Sequence, residues 1–323
     1  MKKGPANQDV RLPQRIDRIP MPPGVLDRGP LQFDSRVAKR TGEIVNIATP
    51  AVVSAPPTTT IMGAIKTMTY YGISRLPIAD AGTKRLIGFV TSVDVVDFLG
   101  GGLRHNLLSE KFKNNIFVAI NADISEIMST ELTYIGDKSS LDDALRLMFE
   151  KNVGGLPIVD DQTSIKAIVT EEDFTRLTSG IDTGIPVEKY MSPNVVTAPA
   201  QTSLDKMTRM IIQKGFRRMP IFQDRVMIGL ITASDVMRYL ASGEAFEKVV
   251  TGDIREVMNE PIKSLIRKGL VSIEKGADLG EAAQRMTENE IGALPIMDRG
   301  ALSGIITERD FVRALHENRG IIS

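Results

Sequence analysis

The chain repeats one pattern four times, and no other feature constrains its fold as strongly. The most recognisable stretch reads Gly-Ile-Ser-Arg-Leu-Pro-Ile at 72–78, Asn-Val-Gly-Gly-Leu-Pro-Ile at 152–158, Gly-Phe-Arg-Arg-Met-Pro-Ile at 215–221 and Glu-Ile-Gly-Ala-Leu-Pro-Ile at 290–296. Each is followed by an apolar run ending in Thr-x-x-Asp: Thr91 to Asp94, Thr170 to Asp173, Thr232 to Asp235 and Thr307 to Asp310. The Pro-to-Asp separations are 17, 16, 15 and 15 residues, too regular for chance.

The rest of the pattern fits around these marks. A short apolar strand ends in Ser54, Thr133, Thr197 or Ser272. An amphipathic helix then starts at Thr60-Ile61, Ser140-Leu141, Ser203-Leu204 and Asp278-Leu279, where Ser, Thr and Asp oxygens accept the orphan first-turn amides. Apolar residues follow at helical spacing, as in Ile61, Ile65 and Met68 or Leu141, Leu145 and Met148. Gly or Asn at the helix exit permits a left-handed cap. The Pro marks a strand start, where its missing amide costs least. A second strand ends at the Thr, and a new helix begins. The predicted unit is strand, helix, two strands, helix, and it is too small to bury its own sheet, so the units must pair.

The predicted divisions are a tail at 1–35, repeats at 36–99 and 123–180 with a connector at 100–122 between them, and repeats at 186–242 and 253–316. The connector opens on Gly100-Gly101-Gly102, and its Phe112–Phe117 stretch is a candidate for packing across the interface between pairs. Residues 259–269, with Lys263, Arg267 and Lys268, form an insertion in the last repeat with no sequence-level explanation.

Composition removes many chemistries. There is no Cys and only two His, His105 and His316, which leaves no thiolate, no Cys-based metal site and little for a catalytic triad. Phosphate-binding Gly loops of the Gly-x-Gly-x-x-Gly and Gly-x-x-x-x-Gly-Lys types are absent. Glu171-Glu172-Asp173 reads as helix capping rather than a metal cluster. No apolar run approaches the length of a membrane span and no hydrophobic signal core is present, so a cytoplasmic protein is expected. The formal net charge of zero is a sum of two parts. Residues 1–40 hold nine Lys or Arg and four Asp, and the remainder holds 31 basic and 36 acidic residues.

This pattern resembles the CBS domain, and the chain resembles an α/β (α+β) protein of four CBS repeats paired into two Bateman modules, packed head to head as a flat, pseudo-symmetric disc. The organisation is similar to that of the gamma subunit of AMP-activated protein kinase. The resemblance covers roughly residues 36–316 and implies a regulatory, non-enzymatic ligand binder. Its ligand would be AMP, ADP, ATP or S-adenosylmethionine, with no metal required. Carried over by motif, Asp94, Asp173, Asp235 and Asp310 hold ribose hydroxyls, and Thr91, Thr170, Thr232 and Thr307 lie beside phosphate. Arg75, Arg217 and Arg218, just before the prolines, suit phosphate because a guanidinium pairs bidentately with its oxygens. Gly154-Gly155 and Gly292-Ala293 hold the matching places in the other repeats, where less charge is expected. Ser54, Thr133, Thr197 and Ser272 are the weaker candidates for reading the base.

The residues alone leave another role open for Thr-x-x-Asp, that of a capping device which never touches ligand. Three further expectations concern partners. A regulated protein is implied but not named, and a homodimer is left open. A nucleic-acid-associated regulator, using the basic tail, is the rival reading; the tail has only Phe33 for base stacking, which argues against it. A structural CBS module that binds nothing is the other rival.

Overall fold

Each repeat begins its first helix as the spacing predicts. In this computed structural model, which describes residues 43–266 and 269–321, those helices are Ile61–Tyr71, Leu141–Glu150, Leu204–Lys214 and Leu279–Glu288. Thr60, Ser140, Ser203 and Asp278 each accept a first-turn amide on a side-chain oxygen. The apolar rows are buried, with only Met210 half-exposed among the positions that set the helical spacing. The basic tail at 1–35, together with Arg267 and Lys268, lies outside the described residues.

The left-handed exits fall at Gly72 (φ 66°), Asn152 (φ 53°), Gly215 (φ 70°) and Glu290 (φ 53°). The last departs from the expected Gly or Asn. A side chain with a Cβ is strained there, so Glu290→Gly should raise stability by about 0.5–1 kcal/mol. A urea midpoint that stays level or falls would show that the glutamate's contacts outweigh the strain.

The two strands after each helix pair antiparallel, and the register is the same in all four repeats. It sets Arg75 opposite Thr91, Gly155 opposite Thr170, Arg218 opposite Thr232 and Ala293 opposite Thr307. The second helix then starts at the next residue: Ser92–Gly100, Glu171–Thr178, Ala233–Ser242 and Glu308–Glu317. The residue after each Asp is fully buried (Val95, Phe174, Val236 and Phe311) and anchors that helix start. Each such burial contributes about 1.5–3 kcal/mol.

The first strand differs from expectation. Ser54, Thr133, Thr197 and Ser272 do not end strands. Paired strands begin one or two residues later, at Ile135–Gly136, Ala198–Pro199 and Ile273–Glu274, and the first repeat has only a single bridge, Ala55 to Ile78. The partner strand explains the shift. Its parallel ladder starts at the Ile after Pro (Ile158, Ile221 and Ile296), because Pro has no amide to offer.

Within a pair, each repeat sends its leading segment onto the other. Thr49 bonds both ways with Ile168, and Ser129 does so with Phe89. Ser192 likewise meets Ile305. Within the 259–269 insertion, residues 260–262 form the fourth such segment. Glu260 accepts from Leu204 N–H at 2.9 Å and Ile262 donates to Thr202 at 2.9 Å, which docks it on the third repeat. The pairs meet through helices, repeat 1 against repeat 3 and repeat 2 against repeat 4. One buried core runs through repeats 1 and 3. The connector crosses this interface as expected: Ile116 donates to Gly252 at 2.8 Å, and the Phe117 and Phe246 rings lie 5.7 Å apart.

Candidate functional site

The shared register builds the site. At each Thr-x-x-Asp the Thr amide and hydroxyl both donate to one Asp oxygen, Oδ2, at 2.6–3.0 Å. Capping is therefore real in all four repeats. It uses one carboxylate oxygen and leaves Oδ1 turned to a guanidinium. Arg176, Arg238 and Arg313, three residues on, face Asp173, Asp235 and Asp310. In the first repeat the matching position is Asp97, and Arg104 from the connector takes over. Its Nη1 lies 2.9 Å from Asp94 Oδ1 and 3.1 Å from Asp97 Oδ2.

A cavity of about 900 Å³ opens where the repeats meet. Its walls include Thr91, Asp94, Thr307 and Asp310, together with Arg75, Arg217 and Arg218. Thr133 also lines it. Thr170, Asp173, Thr232 and Asp235 occupy the matching helix starts but do not line this cavity, and neither do Ser54, Thr197 or Ser272.

The three arginines do converge, and a fourth joins them. Glu171 Oε2 accepts from Arg217 at 2.8 Å and from Arg75 at 3.1 Å, and its Oε1 accepts from Arg309 at 2.8 Å. Glu308 Oε2 accepts from Arg218 at 3.2 Å. Glu171 is only 1% exposed. Both glutamates are the first residue of a second helix, where the dipole also favours negative charge. Burial alone would raise the Glu171 carboxyl, but Arg217, Arg75 and Arg309 more than reverse this and bring it down to about 2. Burial pushes Glu308 up, against the pull of Arg218. Burial also lowers Arg75 and Arg218 from the usual arginine range, and it raises Asp173 to about 6.

The glycines before Pro in repeats 2 and 4 have a spatial role. A methyl on Gly154 would overlap the Arg75 guanidinium and come within 2.8 Å of Glu171 Cδ; one on Gly292 would strike Arg218 and lie 2.6 Å from Glu308 Oε2. The arginines of repeats 1 and 3 thus pass over the glycines of repeats 2 and 4. The expected lack of charge on that side is made up by the neighbour.

Sequence reasoning missed Glu171, Glu308, Arg309 and Arg104. Glu171 stood inside a cluster read as capping, and Asp173 does cap while Glu171 turns inward. A signal was present. The residue after Thr runs Ser92, Glu171, Ala233, Glu308, in opposite phase to Arg75, Gly155, Arg218, Ala293. Four guanidiniums against two carboxylates leave an excess of positive charge that suits a phosphate, and the Asp Oδ1 atoms suit a ribose diol. Among the described residues no group of three or more His, Asp or Glu is placed to hold a metal ion, and no helix is long and apolar enough to cross a membrane.

Known proteins share the four-repeat fold. The CBS domain pattern matches residues 43–101, 124–180, 187–242 and 254–317. Protein MJ1225 of Methanocaldococcus jannaschii is 35% identical over 264 residues, covering 81% of this chain and 94% of its own. Its crystal structure, described as that of a suggested archaeal homologue of γ-AMPK, matches with a TM-score of 0.79 over 84% of this chain and 99% of its own. A 33.4 kDa protein from a ribosomal RNA operon of Thermofilum pendens is 26% identical over 272 residues, 84% of this chain and 90% of its own. A Pyrococcus horikoshii protein at 16% identity shares the fold, with a TM-score of 0.52 over 83% of this chain and 97% of its own. With four family matches laid over four structural repeats that pair two by two, the chain belongs to the CBS domain family and carries two Bateman modules.

Proposed function

We propose that this chain is a regulatory sensor of adenosine-containing metabolites, taking AMP, ADP, ATP or S-adenosylmethionine in the clefts between its repeats. The observation that carries this reading is the meeting, in one cavity, of two Thr-x-x-Asp helix starts with four arginines. In this reading Asp94 and Asp310 hold ribose hydroxyls on Oδ1, and Arg75, Arg217, Arg218 and Arg309 face the phosphate. Asp173 and Asp235 serve the matching clefts outside that cavity. Occupancy acts on a partner protein by favouring one arrangement of the two modules, which requires different ligand affinities in two arrangements. The repeat 1 cleft has a direct route for this. Arg104 binds Asp94 and belongs to the connector that reaches across the module interface.

Isothermal titration of the full chain with AMP, ADP, ATP and S-adenosylmethionine is the test. At least one should bind more tightly than about 1 mM, or −4 kcal/mol. Asp94→Ala should weaken a ribose-containing ligand about tenfold or more, since a charged hydrogen bond is worth about 1.5–3 kcal/mol. The same variant also loses a cap worth about 1 kcal/mol, so a melting curve must accompany the titration. Lower melting with unchanged affinity would assign Asp94 to capping alone.

A further inference from the structure

The four arginines line the cavity and the two glutamates do not. Glu171 and Glu308 pair with these guanidiniums from outside the cavity lining. They therefore leave donors free on the cavity side while subtracting charge from it. Arg75, Arg217, Arg218 and Arg309 against Glu171 and Glu308 leave two positive charges unbalanced. The other charges on the walls are largely spoken for. Asp94 and Asp97 share the single Arg104 and leave one negative charge at the Thr91 helix start, Asp310 faces Arg313, and Lys214 and Glu131 contribute one charge of each sign.

We propose that Glu171 and Glu308 set the ligand class of this cavity by trimming its arginine cluster to match one dianionic phosphate group. A ligand with a single terminal phosphate neutralises the cluster. Further phosphates find no further unbalanced guanidinium, so they add little affinity. The pairing is built into the fold, because Gly154 and Gly292, lacking a Cβ, leave the space in which Arg75 and Arg218 meet the two carboxylates. Glu171, with three arginines, carries more of the effect than Glu308, with one. Both act through the arginines and are positioning residues.

This inference deepens the metabolite-sensor reading, and its test uses anions without adenosine so that the two can fail separately. The full chain is titrated with orthophosphate, pyrophosphate and tripolyphosphate at one ionic strength. The native chain should bind all three within about tenfold of one another. Glu171→Gln keeps the shape and removes a negative charge, so it should tighten tripolyphosphate about tenfold more than orthophosphate. Glu308→Gln removes only one pairing, should fold in any event, and should shift the ratio in the same direction by a smaller factor. A native chain that already prefers tripolyphosphate by more than tenfold would overturn the proposal. So would variants that weaken or tighten all three anions equally, the result expected if the glutamates only order the arginines.

Discussion

Glu171→Ala is expected to cost about 3–5 kcal/mol of stability, the usual result of removing one partner from a buried charge cluster. Three guanidiniums share that carboxylate, and Arg75 is held deep beside it. Their desolvation is offset by Glu171 and would be left without an answer. Glu308→Ala removes a single partner and should cost less. A urea midpoint for Glu171→Ala within error of the native one would show that the cluster is satisfied in another way. The same carboxylate predicts acid sensitivity. Its pKa is lowered from 4.5 to about 2, so its contribution is complete above pH 4.5 and is lost as the pH falls toward 2. The full loss is about 3 kcal/mol.

Asp173, two residues along the same helix, works in the opposite sense. Burial raises its pKa from 3.8 to about 6, against the Thr170 amide and Arg176, with Glu172 adding to the rise. The folded state therefore holds this proton more tightly than the unfolded chain does. Acidification from pH 6 toward 3.8 should add stability, up to about 3 kcal/mol, and Glu308 and Asp310, also raised by burial, act in the same direction. The melting temperature should climb between pH 6 and 4.5 and then drop. Asp173→Asn should flatten the climb. A steady fall from pH 7 downward in the native chain would contradict this assignment.

The second large effect is expected at Gly280. It lies in the first turn of the helix Leu279–Glu288, and its carbonyl accepts from Gly180 N–H at 3.1 Å. A methyl there would overlap the Ile181 carbonyl oxygen and sit 2.8 Å from the carbon. The obstacle is backbone, so no side chain can rotate away. The neighbouring segment is also pinned, since Asp278 accepts from Thr183 N–H, the Thr183 hydroxyl and Ile185 N–H at 2.9–3.2 Å. Gly280→Ala should lose about 2–3 kcal/mol, as forced overpacking does. Gly82→Ala, at an exposed turn with Asp80 Oδ1 3.5 Å away, is the control and should stay within about 0.5 kcal/mol. Equal midpoints for the two variants would mean that the 180–185 junction yields freely.

Local signals made most of the fold legible. The N-caps Thr60, Ser140, Ser203 and Asp278 and the Thr-x-x-Asp turns are each decided within a few residues, and all are found; the strands marked by Pro are found too, but each begins two residues earlier, at Arg75, Gly155, Arg218 and Ala293. What depended on pairing was less visible. The parallel strand at Ile135 starts where its partner's proline stops excluding hydrogen bonds, a fact about the other strand. The 259–269 insertion reads as surplus until it is docked on Thr202 and Leu204. Glu171 is the clearest case. One residue after an N-cap, a glutamate reads as a partner for the helix dipole. Only the arrival of Arg75, Arg217 and Arg309 from three other repeats makes it a buried counter-ion. Arg104 was hidden for the same reason, because it replaces an arginine missing from its own helix while lying in the connector.

The central claim is that adenosine-containing ligands enter the arginine-lined cavity between the repeats. The most direct measurement is a native mass spectrum of the full chain after incubation with millimolar AMP, ADP, ATP or S-adenosylmethionine. The account predicts discrete mass increments of at least one of these ligands, reduced in Asp94→Ala and in Arg217→Gln. A spectrum showing only the bare chain under every condition would contradict it.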